Sequence, residues 1–333
     1  MRSYKNPVYP DYFADPFVWR HGDDFYAIGT GPAEASGDVT RASKVFPLLT
    51  SHDLVEWSPA GHALVRPDAA VGDSFWAPEI IYAKGLWYLY YSVGFGDKRH
   101  QIRVATADVP LGPYVDAAQL TDPDQVPFAI DPHPFQDDDG RTYLFHARDF
   151  LDVDPSQPGS IRAGTALVVS ELVSMTQLSP QVHTVLRASC DWQLFAKDRA
   201  MYGRVFDWHT LEGPFLIKDE GRYYCLYSGG CWQNDTYGVD FTVADSVLGP
   251  YESRPDLPAP RVLRSLPGKV VGPGHCSAVK TPDESGWLIV YHAWDQAMDA
   301  RRLCIDPLWI GPHGPRSSGP SWTLQSGIEA YRQ

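Results

Sequence analysis

The sequence predicts an all-β fold, a five-bladed β-propeller with four antiparallel strands in each blade. Three observations predict this fold. The chain of 333 residues contains 28 Gly and 29 Pro, which suits many short strands joined by tight turns. Aromatic residues make up 13% of the chain, and they cluster in short strand-like runs such as 86–91. One pattern also recurs five times from end to end.

The recurring pattern is a proline motif, an apolar stretch, a polar turn that contains Gly, and a strand rich in aromatic residues. Each copy predicts a β-hairpin. The prolines that mark the five copies are Pro16, Pro78, Pro132, Pro214 and Pro273. After two copies a further strand ends in the same four residues, at 111–114 and at 248–251. The spacing leaves room for four strands in each copy, and we expect a single domain over residues 1–333.

The third copy is the longest, and we expect it to carry loop excursions around 149–162 and again before Glu212. Such loops would close one end of a central funnel. The alternative fold is an irregular β-sandwich.

The composition excludes several classes of function. With 28 Lys and Arg against 41 Asp and Glu, the formal net charge is -13, which argues against nucleic acid and against an anionic membrane surface as partners. No run of 18 apolar residues is present, so no membrane span is expected. The 5 cysteines include no C-x-x-C pair, which argues against a disulfide framework or a zinc ribbon. Residues 1–7 lack the apolar stretch of a signal peptide, so the expected location is the cytoplasm.

Three carboxylates stand at the start of the first strand of their copies, namely Asp15, Asp131 and Glu212. The innermost strands of a propeller line its central channel, so corresponding positions on different blades face one another. We therefore expect the three side chains to meet in one funnel. Crowded carboxyl groups push their pKa values apart, so that one holds a proton while another stays ionised. This is the requirement for acid–base chemistry on a sugar.

The motifs together resemble glycoside hydrolase family 43. The stretches that carry the resemblance are 13–17, 75–79, 130–135, 211–214, 272–276, 291–294 and 303–309. The resemblance implies a five-bladed propeller and an inverting glycosidase acting on arabinofuranosides or xylosides. It implies that Asp15 is the general base, that Glu212 is the general acid, and that Asp131 tunes the pKa of the acid and orients the sugar. Inversion places the base and the acid roughly 6.5–9.5 Å apart.

Other residues are candidates for binding the substrate. The resemblance places His275 in the central channel. A calcium ion in this channel, contacted by His275 through water, is left open by the resemblance, and no cofactor is required. Trp76 is a sugar platform or a core aromatic residue. Glu79 stands where the family often has Asp. Arg301 and Arg302 are both candidates to reach the sugar, and the spacing does not choose between them. Two further rim aromatics are Trp208 and Trp232.

The sequence analysis therefore predicts an exo-acting α-L-arabinofuranosidase that takes short oligosaccharides as substrates. A β-D-xylosidase and an endo-1,5-α-L-arabinanase are the alternatives within the family. The retaining hydrolases of fructosides are a more distant alternative, but their Asn-Asp-Pro-Asn and Glu-Cys motifs are absent from 14–16 and 212–213. A propeller that binds sugar without catalysis is the alternative from another class. The oligomeric state is not predicted.

Overall fold

The computed structural model describes residues 3–32, 44–153, 160–252 and 257–327. These residues form five sheets, numbered here in chain order, in which neighbouring strands are antiparallel except for one parallel pair in the third sheet. Sheet 1 contains β1 (Ala14–His21), β2 (Asp24–Thr30), β3 (Lys44–Ser51) and β4 (Ser58–Val65). Sheet 2 contains β5 (Ser74–Ala83), β6 (Leu86–Phe95), β7 (Lys98–Ala107) and β8 (Val115–Gln119).

The third sheet is larger than the others and is followed by two further four-stranded sheets. Sheet 3 contains β9 (Ala129–Gln136), β10 (Thr142–Phe150), β11 (Gly164–Ser174), β12 (Gln177–Leu178), β13 (His183–Leu186), β14 (Leu194–Met201) and β15 (Arg204–His209). Sheet 4 contains β16 (Leu211–Asp219), β17 (Arg222–Gly229), β18 (Gly238–Ala244) and β19 (Leu263–Arg264). Sheet 5 contains β20 (Val271–Lys280), β21 (Trp287–Trp294), β22 (Arg301–Gly311) and β23 (Gly314–Ser317).

The prediction of an all-β propeller with almost no helix is confirmed. The one helix within the described ranges is the 3₁₀ turn Asp191–Gln193. No helix of the described chain has the length and apolar character needed to cross a membrane. The prediction of five four-stranded blades is wrong, because four sheets have four strands and sheet 3 has seven.

Two of the three extra strands of sheet 3, β14 and β15, arise from the second predicted excursion, and the third arises because β12 and β13 both pair with β11. The segment of the second excursion is not a loop, because β14 and β15 pair antiparallel as an ordered hairpin. The hairpin joins β11 where Gly164 pairs with His209 in parallel orientation. Of the first predicted excursion, residues 154–159 lie outside the described part of the chain.

The first strands of the five sheets surround a common axis. In ring order β1 contacts β5, β5 contacts β9, β9 contacts β16, β16 contacts β20, and β20 returns to β1. Each space between neighbouring sheets is filled by its own apolar cluster, as Tyr91 and Phe46 show between sheets 1 and 2. Tyr291 and Phe241 fill the space between sheets 4 and 5 in the same way. Fully burying a side chain of this size is worth about 2 kcal/mol, so these clusters hold the ring together.

Each first strand is interrupted by a residue with left-handed backbone, and β20 has a second such residue, Gly272, three positions earlier. The five residues are Asp15, Ala77, Asp131, Gly213 and His275, with φ between 47° and 60°. The pairing register with the second strand shifts at each of these positions. A residue in this conformation bulges the strand and redirects its side chain. Four of the five are not glycine, so the surrounding structure must hold them in a costly conformation.

The attachment of the β14–β15 hairpin provides a test of this fold. Gly164 has φ +146°, and an added Cβ would lie 1.7 Å from the backbone oxygen of His209. We expect Gly164→Ala to displace the hairpin from β11 and to lower the unfolding temperature by several degrees. Gly22→Ala is the matched control, because Gly22 has φ +63° and nothing within 4 Å of its added Cβ. Equal unfolding temperatures of the two variants in a thermal melt would contradict the prediction.

Candidate active site

One cavity of ≈ 1130 Å³ opens over the central ring. The predicted carboxylates Asp15, Asp131 and Glu212 all line it, together with His275 and Arg301. The first strands of three different sheets therefore bring together groups that lie up to 197 residues apart in the chain, counted from 15 to 212.

The sequence analysis expects the three carboxylates at corresponding positions of their first strands. The structure instead places them at two different positions relative to the bulge. Asp15 and Asp131 are themselves the left-handed bulge residues of β1 and β9. In β16 the bulge residue is Gly213, so Glu212 lies one residue earlier. A Cβ on Gly213 would lie 3.1 Å from the ring of His275, the bulge residue of β20. The absence of a side chain at Gly213 leaves room for that ring.

Asp15 is the carboxylate that the site keeps ionised. Arg301 donates a hydrogen bond from Nη1 to Oδ1 of Asp15 at 3.1 Å. The Nδ1 atom of His275 lies 3.4 Å from the same oxygen. Burial raises the pKa of Asp15, but the positive charge of Arg301, with smaller contributions from the neighbouring rings of His275 and His292, outweighs burial and holds that pKa well below its usual range. Asp15 therefore remains available to accept a proton.

The structure distinguishes the two candidate arginines. Arg301 lines the cavity, and its Nε and Nη2 donate to the hydroxyl of Tyr12 at 3.2 and 2.8 Å. Arg302 instead donates to the backbone oxygen of Pro10 and to Asp295. The expectation that Arg302 reaches the sugar is corrected, because neighbouring residues of a strand point to opposite faces of the sheet.

Glu212 carries a raised pKa. Burial raises the pKa of Glu212 to about 7, with repulsion from Asp15 adding to it and the hydrogen bond from Tyr237 opposing it. That bond runs from the hydroxyl of Tyr237 to Oε1 of Glu212 at 2.5 Å. Glu212 is thus protonated at a pH where Asp15 is ionised, which is the division of roles that proton transfer across a substrate requires.

Asp131 is linked to both of the other carboxyl groups. Burial and the charges of Glu212 and Asp15 raise the pKa of Asp131 well above its usual range. Its Oδ2 accepts the backbone N–H of Gly213 at 2.9 Å. Asp131 therefore fixes the backbone of the residue that follows Glu212, and its titration is linked to the charges of Glu212 and Asp15.

Side chains of neighbouring sheets hold the other bulge residues by the same kind of bond. The N–H of Asp131 donates to Oγ of Ser92, and the N–H of His275 donates to Oγ of Ser228. Each serine lies on the second strand of its sheet, opposite the residue that precedes the bulge: Ser92 pairs with Trp76, and Ser228 pairs with Glu212. The matching position in sheet 3 is Ala147, which pairs with Ile130 and offers no acceptor. The carboxylate of Asp131 takes over that role toward Gly213.

Glu79 does not face the cavity, which corrects its predicted role as a substrate-binding residue. It is buried, and its Oε2 lies 2.7 Å from Nδ1 of His133. The Nε2 atom of His133 accepts the N–H of Leu216 at 3.0 Å, so Nδ1 carries the ring proton and donates to Glu79. Glu79 and His133 thus connect β5, β9 and β16 beneath the site.

The predicted aromatic residues all line the cavity, but in different settings. Trp76 stacks on the buried ring of His100 at 3.7 Å, which leaves its other face toward the cavity. Trp232 stacks on Trp294 and covers the guanidinium of Arg301 at 4.6 Å. Trp208 belongs to the β14–β15 hairpin and is 2% exposed, so it is a wall residue and not an exposed rim aromatic.

A calcium ion that His275 reaches through water stays a prediction, and the structure offers few direct ligands beside it. Calcium takes 6–8 oxygen ligands, and the carboxylate oxygens nearest to Nδ1 of His275 are single atoms of Asp15 and Asp131 at 3.4 and 3.9 Å. Among residues 3–32, 44–153, 160–252 and 257–327, no three His, Cys, Asp or Glu side chains are arranged to hold a metal ion.

Three further residues of the site were not among the candidates that the sequence analysis named. Tyr12 holds Arg301, and Tyr237 holds Glu212. His292 accepts the backbone N–H of Asp15 at Nδ1, over 3.1 Å, and burial lowers its pKa to about 4, so the ring is neutral. The family motif at 291–294 included His292, but only the folded chain places it beneath Asp15.

Comparisons with known proteins identify chains of similar sequence and fold. A model of the glycosyl hydrolases family 43 matches residues 4–314. The β-D-galactofuranosidase xynD of Aspergillus niger is 26% identical over 328 residues, which cover 93% of this chain and 83% of that protein. The extracellular exo-α-(1->5)-L-arabinofuranosidase ArbA of Cellvibrio japonicus is 29% identical over 314 residues, which cover 85% of this chain and 79% of that protein. A crystal structure of a thermostable family-43 glycoside hydrolase matches with a TM-score of 0.78 and 28% identity, covering 98% of this chain and 99% of that one.

The raised pKa of Glu212 predicts a stability change that does not depend on activity. A carboxyl group titrates near 4.3 in the unfolded chain and at about 7 here, so its ionisation costs stability as pH rises through that window. We expect Glu212→Gln to be more stable than the wild type at pH 8, by on the order of 1–3 kcal/mol, and to show no such gain at pH 4. Urea unfolding at the two pH values measures this difference.

The exposed Glu220 in the turn between β16 and β17 is the matched control. Glu220→Gln should show no comparable gain with pH. A Glu212→Gln gain that is the same at pH 4 and pH 8 would contradict the prediction.

Proposed function

Because the chain belongs to glycosyl hydrolases family 43, we propose that it is an inverting glycosidase that removes terminal α-L-arabinofuranosyl units from short arabino-oligosaccharides or arabinoxylo-oligosaccharides. The observation that carries the proposal is the pairing, in one cavity, of an ionised Asp15 with a protonated Glu212. Inverting hydrolysis uses one carboxylate as base and one carboxylic acid as proton donor.

In the proposed mechanism Asp15 is the general base. Its ionised carboxylate accepts a proton from water as the water oxygen attacks the anomeric carbon. Arg301 keeps Asp15 ionised, and the bond from Arg301 to Tyr12 fixes the guanidinium in place. A separation of roughly 6.5–9.5 Å between the two catalytic carboxyl groups would accommodate that water.

Glu212 is the general acid in this mechanism. As the glycosidic bond breaks, Glu212 transfers its proton to the leaving oxygen, and Tyr237 orients the carboxyl group. Asp131 acts as a positioning residue and as the modulator of the pKa of Glu212, through the Gly213 N–H and through its charge. Trp76, Trp232 and His275 are the further residues proposed to contact the bound sugar.

We also propose that sheet 3 serves as the fifth blade. Its strands β9, β10 and β11 follow one another outward from the ring, as the strands of the four regular sheets do. The first strand β9 fills the place between β5 and β16 in the ring. The β14–β15 hairpin is then an addition to a blade and not a separate domain.

The ArbA relative, which is named as an exo-acting enzyme, supports the choice of a terminal arabinofuranosyl unit. A second candidate is a β-D-galactofuranosidase, favoured by the relative that covers 93% of this chain. A β-D-galactofuranosyl ring has the same ring stereochemistry as an α-L-arabinofuranosyl ring and carries a larger substituent at C4. A β-D-xylosidase and an endo-acting arabinanase remain the other candidates within the family.

Hydrolysis of a matched panel tests the proposal. We expect the highest kcat/KM on 4-nitrophenyl α-L-arabinofuranoside, compared with the β-D-xylopyranoside and the β-D-galactofuranoside. On linear arabino-oligosaccharides, exo-action releases monomer from the earliest time point. Early accumulation of dimers and trimers would instead indicate endo-action, and binding of all three sugars without turnover would contradict an enzyme.

The acid and base assignments predict different dependence on the leaving group. Asp15→Asn, Asp131→Asn and Glu212→Gln should each lower turnover of an oligosaccharide by about 100-fold or more. Only Glu212→Gln should recover on an activated aryl glycoside, because a good leaving group needs little protonation. Steady-state kinetics on both substrates measures this. If Glu212→Gln kept most of its activity on the oligosaccharide, the acid assignment would be wrong.

A further inference from the structure

The β14–β15 hairpin forms a wall of the cavity that the four regular sheets do not supply. Four of its residues line the cavity, namely Phe195, Arg199, Met201 and Trp208. Among the strands in the described ranges, only sheet 3 has such an additional hairpin. This wall is therefore a feature of the individual chain and not a consequence of the repeat.

Arg199 is the charged residue of this wall that contacts the cavity. The pairing of β14 with β15 shifts in register between Ala196 and Arg199, and Asp198 has left-handed backbone there. The guanidinium lies over the ring of Phe195 at 4.8 Å and near the ring of Trp208 at 5.7 Å. These rings hold the side chain without using its N–H donors.

Among the described residues no hydrogen bond uses the N–H donors of Arg199, so these donors are left for a ligand. Its nearest carboxylate oxygen is Oδ2 of Asp97 at 3.8 Å, which is too long for a hydrogen bond. By contrast, Arg301 in the same cavity donates to both Asp15 and Tyr12. The Arg199 side chain is 27% exposed and lines the cavity, so its N–H groups are within reach of a bound molecule.

The position of the hairpin relative to Asp15 and Glu212 indicates that it lies on the side of the cavity where the leaving group departs. Sheets 3 and 4 lie across the ring from sheet 1, which carries Asp15. In an inverting reaction the attacking water is on the side of the base, and the leaving group departs on the side of the acid. Sheet 4 carries that acid, Glu212, and β15 of the hairpin ends at His209, two residues before β16 of sheet 4 begins at Leu211.

We propose that the β14–β15 hairpin forms the subsite for the leaving group, in which Arg199 donates hydrogen bonds to hydroxyl or ring oxygens of a neutral sugar residue. This inference rests on the proposed function and deepens it. A neutral sugar fits better than a uronic acid, because Asp97 lies 3.8 Å from Arg199 and Asp149 also lines this part of the cavity. A ligand carboxylate would meet these acidic groups in a chain of net charge -13.

The test compares substrates with and without a sugar as leaving group. Arg199→Leu should lower kcat/KM for α-1,5-linked arabinobiose by roughly tenfold or more, the effect of losing a hydrogen bond from a charged donor. Hydrolysis of α-L-arabinofuranosyl fluoride should be unchanged, because fluoride is too small to reach the hairpin. Inhibition by L-arabinose, which occupies the terminal-sugar site, should also be unchanged.

Arg204→Leu is the matched control. Arg204 is on the same hairpin and lies over Phe206 at 4.7 Å, but it is exposed and does not line the cavity. This variant should hydrolyse both substrates as the wild type does. If Arg199→Leu unfolds at a lower temperature than Arg204→Leu, the same comparison is made with Arg199→Gln, which keeps the length of the stem.

The outcomes separate this inference from the proposed function. Equal losses of Arg199→Leu on the fluoride and the disaccharide, or no loss on either, would overturn the inference while leaving the arabinosidase proposal intact. A wild-type protein that hydrolyses neither substrate would overturn the proposed function and, with it, the basis of the inference.

Discussion

The site depends on one kind of hydrogen bond. On each first strand, the N–H of a residue with left-handed backbone donates to a side chain of a neighbouring sheet. In the ring, Asp15 donates to His292, Ala77 to Thr30, Asp131 to Ser92, Gly213 to Asp131 and His275 to Ser228. A buried N–H without an acceptor costs about as much as a lost hydrogen bond. These bonds therefore stabilise the strained backbone, and they connect the sheets around the ring.

The five hydrogen bonds to the bulge residues do not use the same kind of acceptor. The different acceptor in sheet 3 places a carboxyl group in the site. Where the other sheets use a hydroxyl or a neutral ring, sheet 3 has Ala147, and the carboxylate of Asp131 accepts the N–H of Gly213. A structural bond is thereby made by an acidic group inside the cavity. This couples the geometry of Glu212 to the position of Asp131, and it places two carboxyl groups where neither is fully solvated.

The distribution of positive charge then separates the roles of the carboxyl groups. Arg301 hydrogen-bonds to Asp15 and to neither of the other two, while Tyr237, an uncharged donor, bonds to Glu212. Burial would raise the pKa of all three groups, and only Asp15 has a cation in hydrogen-bond contact to reverse the effect. The arrangement costs stability, since ionised carboxyl groups repel one another in a buried site.

The sequence alone determined the repeat, the five hairpins, the absence of long helices and the three carboxylates, because strand alternation, turn residues and the proline motifs are local signals. It did not determine that Glu212 precedes a bulge residue while Asp15 and Asp131 are bulge residues, because backbone φ is set by packing and not by the motif. Nor did it separate Arg301 from Arg302, which depends on the strand face, or show that Glu79 turns away to His133. The seven strands of sheet 3 and the wall made by Arg199 depend on contacts between distant segments, and only the tertiary structure decides such contacts.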